Sequence, residues 1–423
     1  MSDFNHLSIR MNLLWLVSFL FLSLLSFQTP LEATTDPYQA NNIAIAYKEK
    51  EGFSFKNSIE NLNIGGYIEV DGRLFFGSNQ PRSTFLIRRA RCFMTGELYD
   101  LFGFMLMPRW DRQEVVDLEY AWLDTLGPSW GQIRVGQFKK PYSLQAIKSD
   151  LFRTFVEPTI VVRNYSHAID VGVMGFGESP SKRIAYSLGF FNGRDRKIDN
   201  NSNKEAVGRI VFKLFHSDAI GRSYLGFSAA AGRQDEDLSG KTFVTETFTP
   251  FWKWTGKKSR PVEVRATRIR GEVDLEWLNG PFYFCAEGQY TEWGAIRKGS
   301  QKHDFRGYGG YALISYLITG EDKPRDGPVI PKENFDPCKD EWGALEIAAQ
   351  YEIFYAAKEM IQAKFAQGAN YLQGPVIAFN WYFNPRVVMK LDAQYLSFNR
   401  SVKLHSHHFD YEANLICRFQ AVF

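Results

Sequence analysis

The last fifteen residues, 409–423, alternate strictly enough to exclude most soluble folds. Phe423, Ala421, Phe419, Cys417, Leu415, Ala413, Tyr411 and Phe409 share one face of an extended strand, and all are apolar or aromatic. Val422, Gln420, Arg418, Ile416, Asn414, Glu412 and Asp410 share the other face, which is mostly polar. Side chains alternate along a strand with period two, and an ordinary strand runs about 5–6 residues. Left unpaired in water, a strand this long and apolar on one face is a template for aggregation. In a closed barrel it pairs on both sides and turns its apolar face to lipid. The competing reading is a central strand of a β-sandwich.

The same pattern recurs upstream. Ile68, Val70, Leu74 and Phe76 oppose Tyr67, Glu69, Asp71 and Arg73. Val116, Leu118, Tyr120 and Trp122 oppose Asp117, Glu119 and Ala121. Arg268, Arg270, Glu272, Asp274 and Glu276 alternate with Ile269, Gly271, Val273, Leu275 and Trp277. Turn chemistry separates such segments: Asn79-Gln80-Pro81, Ser179-Pro180-Ser181, Asn192-Gly193, Asn279-Gly280 and Asn384-Pro385-Arg386. The segments add up to sixteen strands, an even number, as in single-chain bacterial barrels. The expected fold is all-β: a transmembrane antiparallel barrel of about sixteen strands, with long segments folded into its lumen. Aromatic residues at 16% and 34 glycines agree with an all-β chain. The aromatic final residue resembles the outer-membrane insertion signal of bacterial barrel proteins.

Residues 1–33 read as a secretory signal peptide. Arg10 supplies the positive end, residues 13–27 the apolar run, and Leu31-Glu32-Ala33 the cleavage site. Residues 34–63 are polar and irregular and form an N-terminal extension; the barrel domain occupies 64–423. Export into a Gram-negative-type outer membrane follows from the signal, the amphipathic strands and the lack of a later apolar run long enough for a spanning helix. The net charge of +3 gives no global field for nucleic acid. Cys92, Cys285, Cys338 and Cys417 are scattered without a metal spacing, and Cys338, in a polar loop, is the one expected to be reactive. Gly256-Lys257-Lys258-Ser259 lacks the upstream glycine of a phosphate loop, and His405, His407 and His408 lack a closed ligand set. No metal, cofactor or catalytic constellation is expected.

Several segments, in order over residues 65–423, carry a resemblance. They are Arg88-Arg89-Ala90-Arg91, Val135-Gly136-Gln137-Phe138-Lys139-Lys140-Pro141-Tyr142-Ser143, Ile169-Asp170-Val171-Gly172-Val173 and Gly189-Phe190-Phe191-Asn192-Gly193. Further on come Leu317-Ile318-Thr319-Gly320-Glu321, Trp342-Gly343-Ala344-Leu345-Glu346, Phe379-Asn380-Trp381-Tyr382-Phe383 and Arg418-Phe419-Gln420. Together they resemble the phosphate-selective porin O and P family. The resemblance implies a homotrimeric sixteen-stranded barrel in outer-membrane lipid. It also implies an arginine track and a lysine constriction that pass phosphate or similar small anions.

A Lys or Arg facing lipid at mid-depth costs about 2–4 kcal/mol, so the strand bases belong in the lumen. Arg89, Arg91, Arg209, Arg268 and Arg270 are therefore expected to line the pore; Arg88 breaks the alternation and is expected to snorkel at an interface. Three insertions, residues 140–167, 233–262 and 319–341, interrupt the strands, and long loops of this kind are usually functional. Bases cluster there: Lys139, Lys140, Lys148, Arg153 and Arg163; then Lys253, Lys257, Lys258 and Arg260; then Lys323, Arg325, Lys332 and Lys339. Some are expected to fold inward as an anion filter, with Lys148 and Lys332 foremost. A guanidinium grips two phosphate oxygens at once, and an ammonium acts as a point charge. Each base can equally be an ordinary charge paired with Asp or Glu, as in any porin, or an outer-loop lysine. The alternatives for the whole chain are a non-selective diffusion porin and a barrel-anchored structural or adhesive envelope protein.

Overall fold

The structure, a computed structural model, describes residues 44–48, 52–56, 60–77, 80–111, 116–199, 201–404 and 407–423. Residues 1–33, read as the export signal, and His405 lie outside the described residues.

The strands follow one another around a single sheet: β1 (Glu60–Phe75), β2 (Thr84–Leu98), β3 (Phe102–Arg109), β4 (Asp117–Thr125), β5 (Gln132–Lys139), β6 (Ile169–Glu178), β7 (Ile184–Phe191) and β8 (Glu205–Ser217). They continue as β9 (Gly221–Asp237), β10 (Val262–Asn279), β11 (Phe282–Lys298), β12 (Gln301–Leu317), β13 (Ala344–Ala356), β14 (Tyr371–Tyr382), β15 (Val387–Leu404) and β16 (His407–Val422). Each pairs antiparallel with the next. β16 then pairs with β1, from Val422↔Tyr67 to Asn414↔Phe75, and the sheet is closed. The expected sixteen-stranded transmembrane barrel is therefore present.

The extension is more ordered than its composition predicts. Two strands, Ala44–Lys48 and Gly52–Lys56, form a hairpin, and the second pairs with β1 from Lys56↔Asn61 to Phe53↔Ile64. β1 runs beyond the end of β16 here, so the hairpin covers an edge that would otherwise be open.

Sidedness is the reverse of a soluble protein. Ile68, Val70, Leu74, Ile269, Val273 and Phe419 are exposed, while Glu69, Asp71, Arg73, Arg270, Glu276 and Arg418 are buried. Outward apolar and inward polar residues alternate as a lipid-spanning strand requires. Aromatic belts mark both rims: Trp130, Trp277, Tyr316 and Trp342 at one, and Tyr308, stacked on Tyr355, with Tyr395, stacked on Tyr411, toward the other.

Three phase errors in the sequence reading have one cause, a bulge-type irregularity that adds an odd number of residues to one strand and shifts the facing. Glu69 pairs with Arg89 and Val70 with Ile87, so Arg88 is the extra residue. Arg88 does not snorkel; it points inward, onto Glu157 at 2.5 Å. A shift between Met107 and Pro108 turns Tyr120 and Trp122 into the lumen, away from the outward Leu118. A shift between Ser397 and Val402 reverses the top of β16, where Phe409 is buried and Asp410 exposed.

The connections fall alternately at two ends. Residues 140–168, 192–204, 238–261 and 357–370 leave one end; the other carries short turns, including Asn279-Gly280, where Gly280 has φ +55. Residues 318–343 emerge at this short-turn end: the Lys323 N–H donates to Gly280 O (2.8 Å) and the Phe335 N–H to Phe383 O (2.7 Å). The third insertion thus lies opposite the first two.

Candidate functional site

The site begins with a backbone that has no ladder partners of its own. Residues 140–167 hold α1 (Leu144–Ile147), a 3-10 turn (Asp150–Phe152) and α2 (Ile160–Tyr165), with extended peptide between them. Buried backbone groups need partners, and the strands supply them from their polar face. The N–H groups of Gln145, Val156 and Ile160 donate to Glu287 (3.0 Å), Asp392 (2.8 Å) and Glu352 (2.9 Å). The carbonyls of Arg153, Thr154 and Val156 accept from Lys390 (2.5 Å), Asn380 (2.9 Å) and Arg418 (2.7 Å). Strands β11 and β13–β16 therefore hold this segment by side chains of their inward polar face.

The second insertion contributes rings rather than bases. Strands Thr242–Val244 and Pro250–Trp254 join Ala366–Gly368 in a small inner sheet. Phe243, Phe251, Trp252 and Trp254 are buried with Tyr165 of α2 and with Trp293, Phe305 and Phe354 of the wall. Tyr165 stacks on Phe354 at 4.8 Å and meets Phe243 edge-on at 5.7 Å. Full burial stabilises by about 1.5–3 kcal/mol per large side chain, so the two insertions are joined by an apolar core. Lys253, Lys257, Lys258 and Arg260, expected as filter residues, are exposed.

Glu246, on the same insertion, is buried beside Glu352 of β13. Burial and then the neighbouring carboxylate push its carboxyl well above the usual 4.5. The folded state therefore binds this proton more tightly than the unfolded chain. The resulting stabilisation is full below about pH 4.5 and is lost as pH rises through the elevated folded value. Denaturant midpoints of the reconstituted barrel are expected to fall between pH 5 and 9, and to fall less in Glu246→Gln; equal slopes in both would refute the linkage.

Most expected lumen bases are paired. Arg209 bonds Glu272 (2.9 Å) and Asp274 (2.7 Å). Lys140, Arg268 and Arg270 converge on Glu205 at 2.9, 2.9 and 2.8 Å, and Lys140 also reaches Asp170 (3.3 Å). Arg89 contacts Glu69 and lies 3.0 Å from Asp150, while Arg91 meets Asp111 (2.8 Å), Glu119 (3.2 Å) and Asp150 (3.2 Å). Lys148 is bound to Glu276 and to Tyr283 Oη (2.7 Å), and Lys323 to Glu346. Lys332 stands apart: it is exposed at the short-turn end and donates to Thr319 O at 2.9 Å. Lys139 donates to Lys148 O at 2.5 Å and makes no ion pair among the described residues.

Two cavities flank Lys139. One, of about 690 Å³, is lined by Arg134, Lys139, Lys148, Arg209 and Arg325 against Glu178 and Asp326, and reaches the short-turn end. The other, of about 340 Å³, is lined by Arg89, Lys139, Arg153, Arg163 and Arg196 against Glu119, Asp150 and Asp195, and reaches the long-loop end. Bases outnumber acids in both, and Lys139 is common to them. Burial alone raises the Asp150 carboxyl, but Arg153, Arg89, Lys139 and Arg91 outweigh it and hold the group well below the usual carboxylate range.

The sequence reading missed Asp150, Glu157, Tyr120, Trp122, Arg134 and Arg196. The carboxylates lie in an insertion where only bases were sought. The spacing Arg88-x-x-Arg91 before an insertion containing Asp150 and Glu157 is the one signal that could have pointed to them. All four cysteines are free; Cys92 and Cys338 are exposed, and Cys285 is buried.

Comparison with known proteins agrees with this architecture. The channel DcaP of Acinetobacter baumannii superposes with a TM-score of 0.57 at 9% identity, over 87% of this chain and 99% of that one. The trimer form of OmpT of Vibrio cholerae gives 0.53 at 11% identity, over 86% and 100%. OmpF of Salmonella typhi, in complex with daunomycin, gives 0.53 at 10% identity, over 88% and 100%. At such identities the likeness is one of fold alone. A search of curated protein sequences finds no match. Residues 63–407 match the family of phosphate-selective porin O and P, which takes in the barrel from β1 through β15. The chain is thus an outer-membrane porin, with the fold of a channel rather than an enzyme, and it belongs to the phosphate-selective porin O and P family.

Proposed function

We propose that this porin is a passive channel favouring small anions, phosphate among them, and that its water path runs through both cavities with its neck at Lys139. The observation that carries the reading is the excess of bases over acids in both cavities, with one unpaired ammonium common to them. Rings of Lys and Arg at a constriction select for anions, and several weak sites in series let the ion leave. Arg89, Arg163 and Arg196 would draw an anion from the loop end; Arg209, Lys148 and Arg325 would receive it beyond the neck. The segment 140–167 would do the narrowing, since its backbone is held by inward side chains of the wall.

A second reading has its own support. Arg209, Arg268, Arg270 and Lys323 are neutralised by carboxylates, which favours a general diffusion porin with little selectivity. Reversal potential in a planar bilayer under a potassium chloride gradient separates the two. The expected sign is that of a chloride-permeable channel, with phosphate reducing the chloride current. A cation-selective sign would end the proposal, and a near-zero potential would favour the general porin.

Assembly as a homotrimer rests on strand length. β3–β7 have only 8–10 residues. At about 3.4 Å per residue and a tilt of about 40°, an eight-residue strand rises only about 21 Å, less than the ~25 Å apolar band. A neighbouring subunit would cover that low wall, and the detergent-solubilised protein should weigh as three chains. Export would use residues 1–33 as a cleaved signal.

A further inference from the structure

The lumen wall changes character around the barrel. On β10 its inward residues are Arg268, Arg270, Glu272, Asp274 and Glu276, and on β1 Glu69, Asp71 and Arg73. On β3–β6 it carries Met105, Tyr120, Trp122, Phe138, Met174 and Phe176, which line one side of the 690 Å³ cavity beyond Lys139. Trp122 pairs across the sheet with Met105 and Gly136, Arg134 with Met174, and Gln132 with Phe176. Met105, Tyr120, Trp122 and Phe176 are only half-buried. A porin interior is polar because water fills it, so an apolar patch left facing that water marks an interaction site.

The patch is held from within by a cation whose charge is already cancelled. The Arg134 guanidinium lies 4.0 Å from the Trp122 ring centre, 5.4 Å from that of Phe176 and 5.7 Å from that of Phe138. Its Nε and Nη2 donate to Asp124 at 2.6 Å each. Cation–π contact fixes the rings and the guanidinium together, and the bidentate carboxylate leaves Arg134 little pull on a passing anion. Across the cavity, Lys148 and Arg325 are bound to Glu276, and Arg209 to Glu272 and Asp274. Of the bases lining this cavity, Lys139 alone makes no ion pair among the described residues.

An inorganic anion gains nothing from such a wall. A solute with one carboxylate and a flat apolar body uses both halves of the cavity, its ring on the aromatic side and its oxygens toward Lys139. The volume of about 690 Å³ is ample, since sites for small organic molecules run about 300–1,000 Å³. We propose that this cavity binds aromatic carboxylates, with Trp122 and Phe176 as the ring platform and Lys139 as the partner of the carboxylate. A phenyl ring with one face on the wall removes about 60 Å² of apolar surface from water, which at about 25 cal/mol per Å² is about tenfold in affinity. Offset or edge-on contact with the Trp122 ring adds to that. The carboxylate end of the inference rests on the anion-channel reading; the ring end does not.

The test is block of the ionic current through the full-length barrel in a planar bilayer, read as the concentration of added sodium benzoate or sodium acetate that halves it. The two carboxylates carry the same charge and differ in the ring. Benzoate is expected to block at about one-tenth of the acetate concentration. Trp122→Gln and Phe176→Gln should each bring that ratio down to about threefold or less. If Trp122→Gln does not fold, Phe176→Gln and Met105→Gln decide. A ratio within twofold in wild type, or a wild-type ratio that persists in every folded variant, would overturn the proposal, even where reversal potentials report an anion channel. A benzoate preference that depends on Trp122 or Phe176 in a channel without anion selectivity would instead leave the ring platform standing and remove the channel reading.

Discussion

Arg418→Ala is expected to destabilise the folded barrel by about 3–5 kcal/mol, the usual cost of deleting one partner of a buried ion pair. Arg418 lies on β16 at the seam where the sheet closes. Its guanidinium meets Asp71 on β1 at 2.6 and 2.9 Å, Glu69 at 3.1 Å and Glu157 at 2.7 Å, and it donates to Val156 O at 2.7 Å. One side chain therefore joins the first strand, the last strand and the infolded segment. The seam's backbone ladder survives the substitution, so the loss is electrostatic: two buried wall carboxylates and Glu157 are left with fewer guanidinium partners. Arg418→Lys keeps a charge without the fork and should recover only part of the loss. Guanidinium unfolding in lipid vesicles measures it; a change below about 1 kcal/mol would show that Arg73 and Arg89 suffice.

How far the sequence led can be judged at particular residues. Strand number and facing were legible where period two ran unbroken, as from Arg268 to Trp277, because lipid on one side and charge on the other leave a strand no freedom of phase. The one-residue bulges at Arg88 and Glu119 and the larger irregularity beside Asn399 were not legible, since inserted residues have no fixed composition. The end from which each insertion emerges follows from counting strands, and an odd–even count would have put residues 318–343 opposite the other two. The contents of the lumen were legible only in part. Bases stood out as breaks in an apolar pattern, but their partners Asp150, Glu157 and Glu205 depend on how a non-repetitive segment folds back. The aromatic run Phe251-Trp252-Lys253-Trp254 could as well have faced lipid; only the pairing with Ala366–Gly368 turns it inward.

Lys139→Glu should have the largest effect on conduction, lowering chloride partitioning into the neck about a hundredfold and tipping the permeability ratio toward potassium. A unit charge about 6–8 Å from a passing ion, at an effective dielectric of about 20–40, is worth roughly 1–3 kcal/mol. Removing one such charge changes partitioning about tenfold, and reversing it about a hundredfold. Lys139 should express this fully because it lines both cavities and makes no ion pair among the described residues. The same change at Lys140 would mix two effects, since that side chain is buried between Asp170 and Glu205. Lys139→Gln retains a donor for Lys148 O and should give the tenfold step alone. Lys332→Glu is the matched control: the same charge change, on an exposed residue lining neither cavity, should leave the ratio within twofold. High salt should compress all these differences, because a wide vestibule is screened over about 3 Å at 1 M. If Lys139→Glu conducts with the wild-type ratio at 0.1 M salt, ions do not pass Lys139, and the neck must be sought elsewhere in the lumen.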